Sequence, residues 1–306
     1  MNRNPLRLLA VLVCLLLAAG CASSDPLGTQ KSSQTAGASK TLVVGSQQYY
    51  SNEIIAELFA QALESRGWKI TRNYQIGQRE IYLPEMQAGR IDLMPEYGGA
   101  MLQYYDKEST ASATSQIMTD LRSALPAGLM ALEPAEATDQ DSFNVTRGTA
   151  QKYGLQTIAD LRKLPEVTLA ANSEIAKRPY GPTGLKRVYG VDATVLPVED
   201  SGGPLTVKAL TDGKVQVADI YSASPSIKAR DLVTLSDPKN LVLPQNVVPV
   251  ASSKVGADAA SVVALVTAQL TTDELTELNA RSVERQESSA TIAKAWLTRK
   301  GIIAQG

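Results

Sequence analysis

The 306-residue chain contains no histidine. That absence excludes Ser-His-Asp and Cys-His nucleophilic machinery and removes the commonest transition-metal ligand. Cysteine is nearly absent too, with two residues at Cys14 and Cys21. Neither charge dominates: 30 Lys and Arg stand against 31 Asp and Glu, a net charge of −1. No basic stripe interrupts that balance, so nucleic acid is not an expected partner. Phosphate loops are missing as well. Gly77-Gln78-Arg79 and Gly202-Gly203 both lack the Lys-Ser/Thr continuation that a P-loop requires. Carboxylates such as Glu96 and Asp219 could in principle form an acid/base pair. Most acidic residues, however, are solvated or make structural hydrogen bonds, so the chain is not expected to be an enzyme. No catalytic residue, cofactor or metal is expected. Phe and Trp are scarce, two of each, whereas Tyr numbers 11. Tyrosine joins an apolar ring to a polar tip, so this bias favours recognition surfaces over pure core.

The longest apolar run lies at the N-terminus. A basic start, Met1 to Arg7, precedes Leu8 to Leu17, and Leu17-Ala18-Ala19-Gly20-Cys21 follows. Charged start, short apolar core and small residues before a cut site mark a secretory signal. The run is too short to span a bilayer, which takes about 20 apolar residues. A cysteine directly after small residues resembles a lipobox, which predicts lipidation at Cys21, a signal over residues 1–20 and anchoring to the outer face of the cytoplasmic membrane. Cys14 lies in the segment to be removed, so the mature chain has no internal disulfide. Residues 21–40, rich in Ser, Thr, Gly, Ala and Gln, read as a flexible tether that cannot offset the entropy of ordering.

Beyond the tether, strand and helix patterns alternate. Thr41 to Ser46 reads as a buried strand, and Ser51 to Arg66 as a helix whose apolar face is Ile54, Ile55, Leu58, Phe59 and Ala62, closed by Gly67. Trp68 to Tyr74 suits a second strand, Tyr82 to Gln87 a short helix, and Arg90 to Met94 a third strand. The grammar restarts with a helix over Thr157 to Leu164, a strand over Val167 to Ala171, and a helix over Pro182 to Tyr189. A helix over Val207 to Thr211 and a strand over Lys214 to Ala218 complete it. Alternation of this kind predicts an α/β fold with mainly parallel sheets. The segments Ala88 to Tyr97 and Asp212 to Tyr221 superimpose without gaps: a Gly, a basic residue, alternating apolar residues and a terminal Tyr recur. An internal pseudo-repeat would place Tyr97 and Tyr221 just past equivalent strands. Ligands bind outside the carboxyl ends of such strands, so the two rings are expected on opposite walls of one cleft.

Gly45 to Tyr49, Ile76 to Glu80 and above all Gly89-Arg-Ile-Asp-Leu-Met-Pro-Glu-Tyr-Gly-Gly99 carry a family resemblance. With Tyr153 to Leu161, Arg178-Pro179 and a closing helix over Ala290 to Gly301, they resemble the glycine betaine/carnitine/choline-binding lipoproteins of osmoprotectant ABC importers, of the ProX and OpuC type. The likeness runs from Thr41 to the end. It implies a two-lobed type II periplasmic-binding-protein fold. Lobe one would be residues 41–139 and 243–306, and lobe two residues 140–242. It also implies a monomeric receptor whose partners are a small solute, an ABC permease and its ATPase subunits, with the membrane reached through the N-terminal lipid.

The family holds a trimethylammonium head in a box of aromatic rings, where cation–π attraction contributes about 0.5–2 kcal/mol per ring. By motif, Tyr97 and Tyr221 match cage positions. Elsewhere the chain departs, with Pro244-Gln245-Asn246 after the second crossover and Asn172-Ser173-Glu174-Ile175 after the lobe-two strand, both without a ring at the expected place. The cage is then completed from elsewhere, with Tyr49 and Tyr180 as candidates, or replaced by hydrogen-bonding groups suited to a hydroxylated, aromatic or otherwise polar solute. The candidate ligand-binding set is Gln47, Gln48, Tyr49, Gln78, Arg79, Tyr97, Asn172, Asp200, Tyr221 and Asn246. Arg79 either clamps a carboxylate or pairs with Glu80 or Glu85. Asp200 either meets ligand or caps the helix after it, capping being the favoured role.

Overall fold

The computed structural model describes residues 40–305. The expected signal segment, Cys21 and all but the last residue of the tether lie outside the described residues. Among those described, no helix is long and apolar enough to cross a membrane.

Two five-stranded sheets form, and their strand orders match term for term. In the first, β1 (Thr41–Gly45), β2 (Lys69–Asn73) and β3 (Leu93–Tyr97) are joined by α1 (Tyr50–Glu64) and α2 (Arg79–Gln87). Past β3 come α3 (Gly98–Tyr105), α4 (Thr114–Ala124) and β4 (Leu129–Ala131). The chain then crosses to the second sheet. That sheet contains β5 (Phe143–Thr146), β6 (Thr168–Ala171), β7 (Thr194–Pro197), β8 (Val217–Asp219) and β9 (Leu232–Thr234). Its helices are α5 (Arg147–Tyr153), α6 (Pro182–Gly184), α7 (Pro204–Thr211) and α8 (Ser226–Ala229). A second crossover returns to β10 (Val247–Ser252), followed by α9 (Ala257–Thr267), α10 (Thr272–Arg285) and α11 (Ser289–Arg299). The orders are β2-β1-β3-β10-β4 and β7-β6-β8-β5-β9. Three parallel strands lead each sheet, and the strand that arrives through a crossover inserts antiparallel beside the third. The crossovers therefore join the sheets at one end, and β2 and β7 form the edges farthest from them.

Burial explains the local choices. Leu42 and Val44 of β1 are buried, and the α1 face read from periodicity, with Ile54, Ile55, Leu58, Phe59 and Ala62, is wholly inside the first core with Trp296 and Leu297 of α11. Gly67 takes a φ of +87°, a conformation that favours glycine at a helix end. The expected helix over Thr157 to Leu164 is a 3₁₀ stretch, Ile158–Lys163, started by a Thr157/Asp160 capping box. Pro182 to Tyr189 splits into α6 and a wide π turn that ends at Gly190, φ +69°.

The third strand begins three residues later than its sequence pattern suggests. Its ladder is set by β10, where Val247 pairs with Tyr97 and Ala251 with Leu93. Asp92 stays outside the strand and uses its carboxylate to accept Val43 N at 2.9 Å. Lobe two repeats the device: Gln216 Oε1 accepts Thr168 N at 2.9 Å just before β8. Asp92 and Gln216 are separated by the same 124 positions as Gly89 and Gly213, or Tyr97 and Tyr221. The pseudo-repeat is thus one of topology, register and side-chain role, not only of residue type.

Candidate functional site

A small cavity lies where the carboxyl ends of the two sheets approach each other and the crossovers. Gln47, Tyr49, Gln78, Arg79 and Tyr97 line it from the first sheet. Glu174, Arg178, Tyr180 and Tyr221 line it from the second, and Asp139, Asp141 and Gln245 from the crossovers. Its volume is about 30 Å³, room for a water or two.

Three rings form its apolar side. Tyr49, at the N-cap of α1, stacks on Tyr97 with centroids 6.3 Å apart and meets Tyr221 edge-on at 5.2 Å. The equivalent tyrosines of the two half-repeats therefore touch the same third ring. Asn52 builds this corner. It is fully buried, accepts Gln47 N at 2.8 Å, and donates to Pro95 O at 3.1 Å and to the Tyr97 hydroxyl at 3.3 Å. Burial raises the pKa of all three phenols, so they present neutral rings.

The polar side divides into two electrostatic halves. In the first, Glu96 is buried and accepts Arg79 Nε at 3.0 Å and Nη2 at 2.8 Å. It also accepts the Tyr82 hydroxyl and Tyr97 N. Arg79 is accordingly paired with Glu96, not with Glu80 or Glu85, while its Nη1 makes no hydrogen bond among the described residues. Arg178 forms a two-pronged ion pair with Glu80 across the cleft, 2.9 and 3.3 Å, and lies over the Tyr104 ring at 5.7 Å. Both arginines are thus balanced by glutamates.

The second half is acidic, and its only cationic influence among the described residues is a lesser lowering pull of Arg178 on Glu174. Asp139, Asp141, Glu174 and Asp219 have no Lys or Arg partner among the ion pairs of the described residues. Burial raises the Asp139 carboxyl to a pKa of about 6, against the lowering effect of bonds from Ser51 Oγ and Ala223 N. Burial also raises Asp219, aided by the neighbouring Asp141, and burial raises Glu174. Gln245 joins the two crossovers by donating to Asp141 Oδ2 at 2.7 Å and accepting Asp141 N at 3.3 Å. These carboxylates are not arranged as a metal site, since no group of three His, Cys, Asp or Glu side chains suited to an ion occurs among the described residues.

Of the ten candidates, Gln47, Tyr49, Gln78, Arg79, Tyr97 and Tyr221 reach the cavity. Tyr180, weighed as a replacement ring, does so too. Four do not line it. Gln48 is half-buried beside it. Asn172 braces a loop by accepting Ser201 N and donating to Ser201 Oγ and Glu174. Asp200 caps α7, accepting Leu205 N at 2.6 Å and the Thr206 hydroxyl at 2.5 Å, which is the capping role favoured above. Asn246 accepts the Thr114 hydroxyl and donates to Ala135 O and Glu136 O, fastening one crossover to the other. Asp139, Asp141 and Gln245 escaped the sequence reading because crossover segments have no periodicity to place them. Glu174 and Arg178 sat in motifs that were noticed without a pocket to assign them to.

Residues 40–299 match the family model described as the substrate binding domain of the ABC-type glycine betaine transport system. A glycine-betaine-binding protein of Pseudomonas aeruginosa is 24% identical over 283 residues, covering 87% of this chain and 90% of that one. The glycine betaine-binding protein YehZ of Escherichia coli is 26% identical over 281 residues, 86% and 92% of the two chains. Among solved structures, a glycine betaine/carnitine/choline ABC transporter protein superimposes with a TM-score of 0.69 at 24% identity, over 85% of this chain and 99% of that one.

Proposed function

Because the chain belongs to the family of substrate-binding domains of ABC-type glycine betaine transport systems, we propose that its own solute is a quaternary ammonium compound of the glycine betaine, choline or carnitine class, held between the lobes and passed to a permease. The observation that carries this reading is the meeting of three tyrosine rings beside carboxylates, Asp139, Asp141 and Glu174, that form no ion pair among the described residues. A quaternary ammonium has no N–H to donate, so ring faces and nearby negative charge are the groups that answer it. Tyr49, Tyr97 and Tyr221 would hold the head, with Tyr180 as a further ring, and Asp139, Asp141 and Glu174 would supply the field. Where the solute also carries a carboxylate, Arg79 Nη1 and Arg178 offer donors to it.

The lobes in this reading are residues 41–139 with 243–306, and residues 140–242. The protein works outside the cytoplasm as a monomer, tethered by a lipid on Cys21 to the outer face of the cytoplasmic membrane. A solute with four carbons around its nitrogen is too large for the present cavity. Capture therefore starts from parted lobes and ends in closure, and the solute shifts that equilibrium only by preferring the closed form.

Calorimetric titration of the tether-free domain tests the assignment. Choline, glycine betaine, carnitine and the minimal probe tetramethylammonium are set against polyols and amino acids. Binding confined to quaternary ammoniums is expected. Binding of a polyol or phenol with none of the quaternary ammonium compounds would overturn the reading in favour of a hydroxylated or aromatic solute.

A further inference from the structure

Ile81 and Leu205 are the most exposed large apolar side chains among the described residues, 57% and 64% accessible. Isolated surface apolar residues are ordinary. These two are not independent, because they are separated by the same 124 positions that relate Gly89 to Gly213 and Tyr97 to Tyr221. Each sits in the first turn of an equivalent helix, Ile81 in α2 and Leu205 in α7, and neither belongs to the buried face of its helix. A solvent-facing site in a first helical turn ordinarily suits an acidic or small polar residue. Here both lobes place an aliphatic residue there.

Topology sets where they lie. α2 follows β2 and α7 follows β7, the edge strands farthest from the crossovers. Both helices start at the carboxyl ends of those strands. The two side chains thus stand on opposite lobes at the mouth of the cleft. Glu80, adjacent to Ile81, reaches Arg178 of the other lobe at 2.9 Å, so this turn borders the seam. Asp200, which accepts Leu205 N, is near enough to Tyr50 of the first lobe to raise its phenol pKa.

The geometry points to Ile81 and Leu205 as a matched pair of docking contacts for a permease that presents two equivalent apolar sockets, as a two-fold symmetric pair of membrane subunits would. This rests on the transport reading above. An asymmetric partner has no use for the same contact at related positions on both lobes. Because the residues are on different lobes, their separation changes with closure. A partner engaging both registers whether the cleft is shut, whereas one engaging a single lobe does not.

The test uses cells in which the chromosomal gene is replaced by Ile81→Asp, Leu205→Asp, the double variant, or Leu265→Asp, an exposed α9 control. Asp is compatible with a first helical turn, so folding is preserved and is checked by thermal melting. Uptake of labelled choline and glycine betaine should fall about tenfold in each single variant and not in the control. Calorimetric affinity for the same two solutes should stay within about twofold, since neither residue lines the cavity. Wild-type uptake in the double variant would overturn the proposal and leave the transport reading intact. Loss at only one position would refute the two-socket claim. Conversion of a solution dimer to monomers by either variant would reassign the pair to self-association. Absence of both binding and uptake in the wild type would sink the transport reading itself.

Discussion

Replacing Tyr221 probes the ring site most cleanly. The ring contacts Tyr49 at 5.2 Å and faces the cavity, but the residue is only partly buried in the core beneath it. Tyr97, by contrast, is 3% exposed, and truncating it leaves a void in the first core, with a folding cost of about 3–5 kcal/mol typical of large-to-Ala changes. Tyr221→Ala should therefore cost less stability while removing one ring from the ammonium head. Loss of cation–π attraction is about 0.5–2 kcal/mol, a weakening of about two- to thirtyfold. Tyr221→Phe keeps the ring, and the Tyr221 hydroxyl makes no hydrogen bond among the described residues, so its affinity should stay within about twofold of wild type. Tyr97→Phe keeps its ring too but gives up the bond from Asn52, so about 0.5–1.5 kcal/mol of stability should go while affinity is kept. Calorimetry with choline and glycine betaine measures all three. Equal losses in Tyr221→Phe and Tyr221→Ala would mean that the hydroxyl reads a polar solute, and the argument for a quaternary ammonium would be refuted.

Three other substitutions test the surroundings. The Asp139 carboxyl has a pKa of about 6 against an ordinary 3.8, so the folded state binds its proton more tightly and stability contributed by this group is lost as pH rises from about 4 to 6. Asp139→Asn should flatten that part of the stability–pH profile and stabilise the free protein at pH 7.5 by up to about 3 kcal/mol, while weakening choline binding; a profile unchanged in urea titrations would contradict the assignment. A Cβ at Gly99 would stand 2.5 Å from Pro244 O and 2.7 Å from Leu243 Cβ, so Gly99→Ala should lower stability by about 1–3 kcal/mol, and a urea midpoint equal to wild type would show that the crossover yields instead. Cys21→Ala should move the protein from the membrane fraction to the soluble one or leave it unprocessed, and acyl label retained by the variant would place the lipid elsewhere.

Periodicity made the alternating elements legible, and the gapless match of Ala88–Tyr97 to Asp212–Tyr221 carried the strongest site inference. Both rings line one cavity, and the match was legible because strand, turn and ring are local in sequence. Strand limits were harder, since β3 is defined by pairing with β10, about 150 positions away. For Arg79 the sequence leaves open a carboxylate clamp or a pair with Glu80 or Glu85, which are close in sequence, whereas the bond that forms is to Glu96 on the next strand. The crossover acids were invisible for a related reason. Asp139 and Asp141 occupy an irregular segment, and what makes them notable is their place in a cavity lined by groups drawn from distant parts of the chain.

That burial bears on how a solute closes the cleft. The first sheet's wall is internally neutral, because Arg79 and Glu96 cancel each other and the rings of Tyr49 and Tyr97 lie beside them. The acids sit on the crossovers and on the second sheet. Asp139 bridges the two sides, accepting Ser51 of α1 at 2.8 Å and Ala223 N past β8 at 3.1 Å. Closing the lobes without a cation takes Asp139 and Asp219 out of water and crowds Asp141 and Glu174 beside them with no ion-pair partner among the described residues, and burial raises the carboxyls of Asp139, Glu174 and Asp219. In the proposed reading, a quaternary ammonium resting on the first sheet's rings would supply the missing charge as the second lobe arrives. The differential affinity that a solute needs in order to drive closure would thus come from carboxylates that oppose closure in its absence. Neutral polyols offer no such compensation, and the same acids that favour a cation work against them.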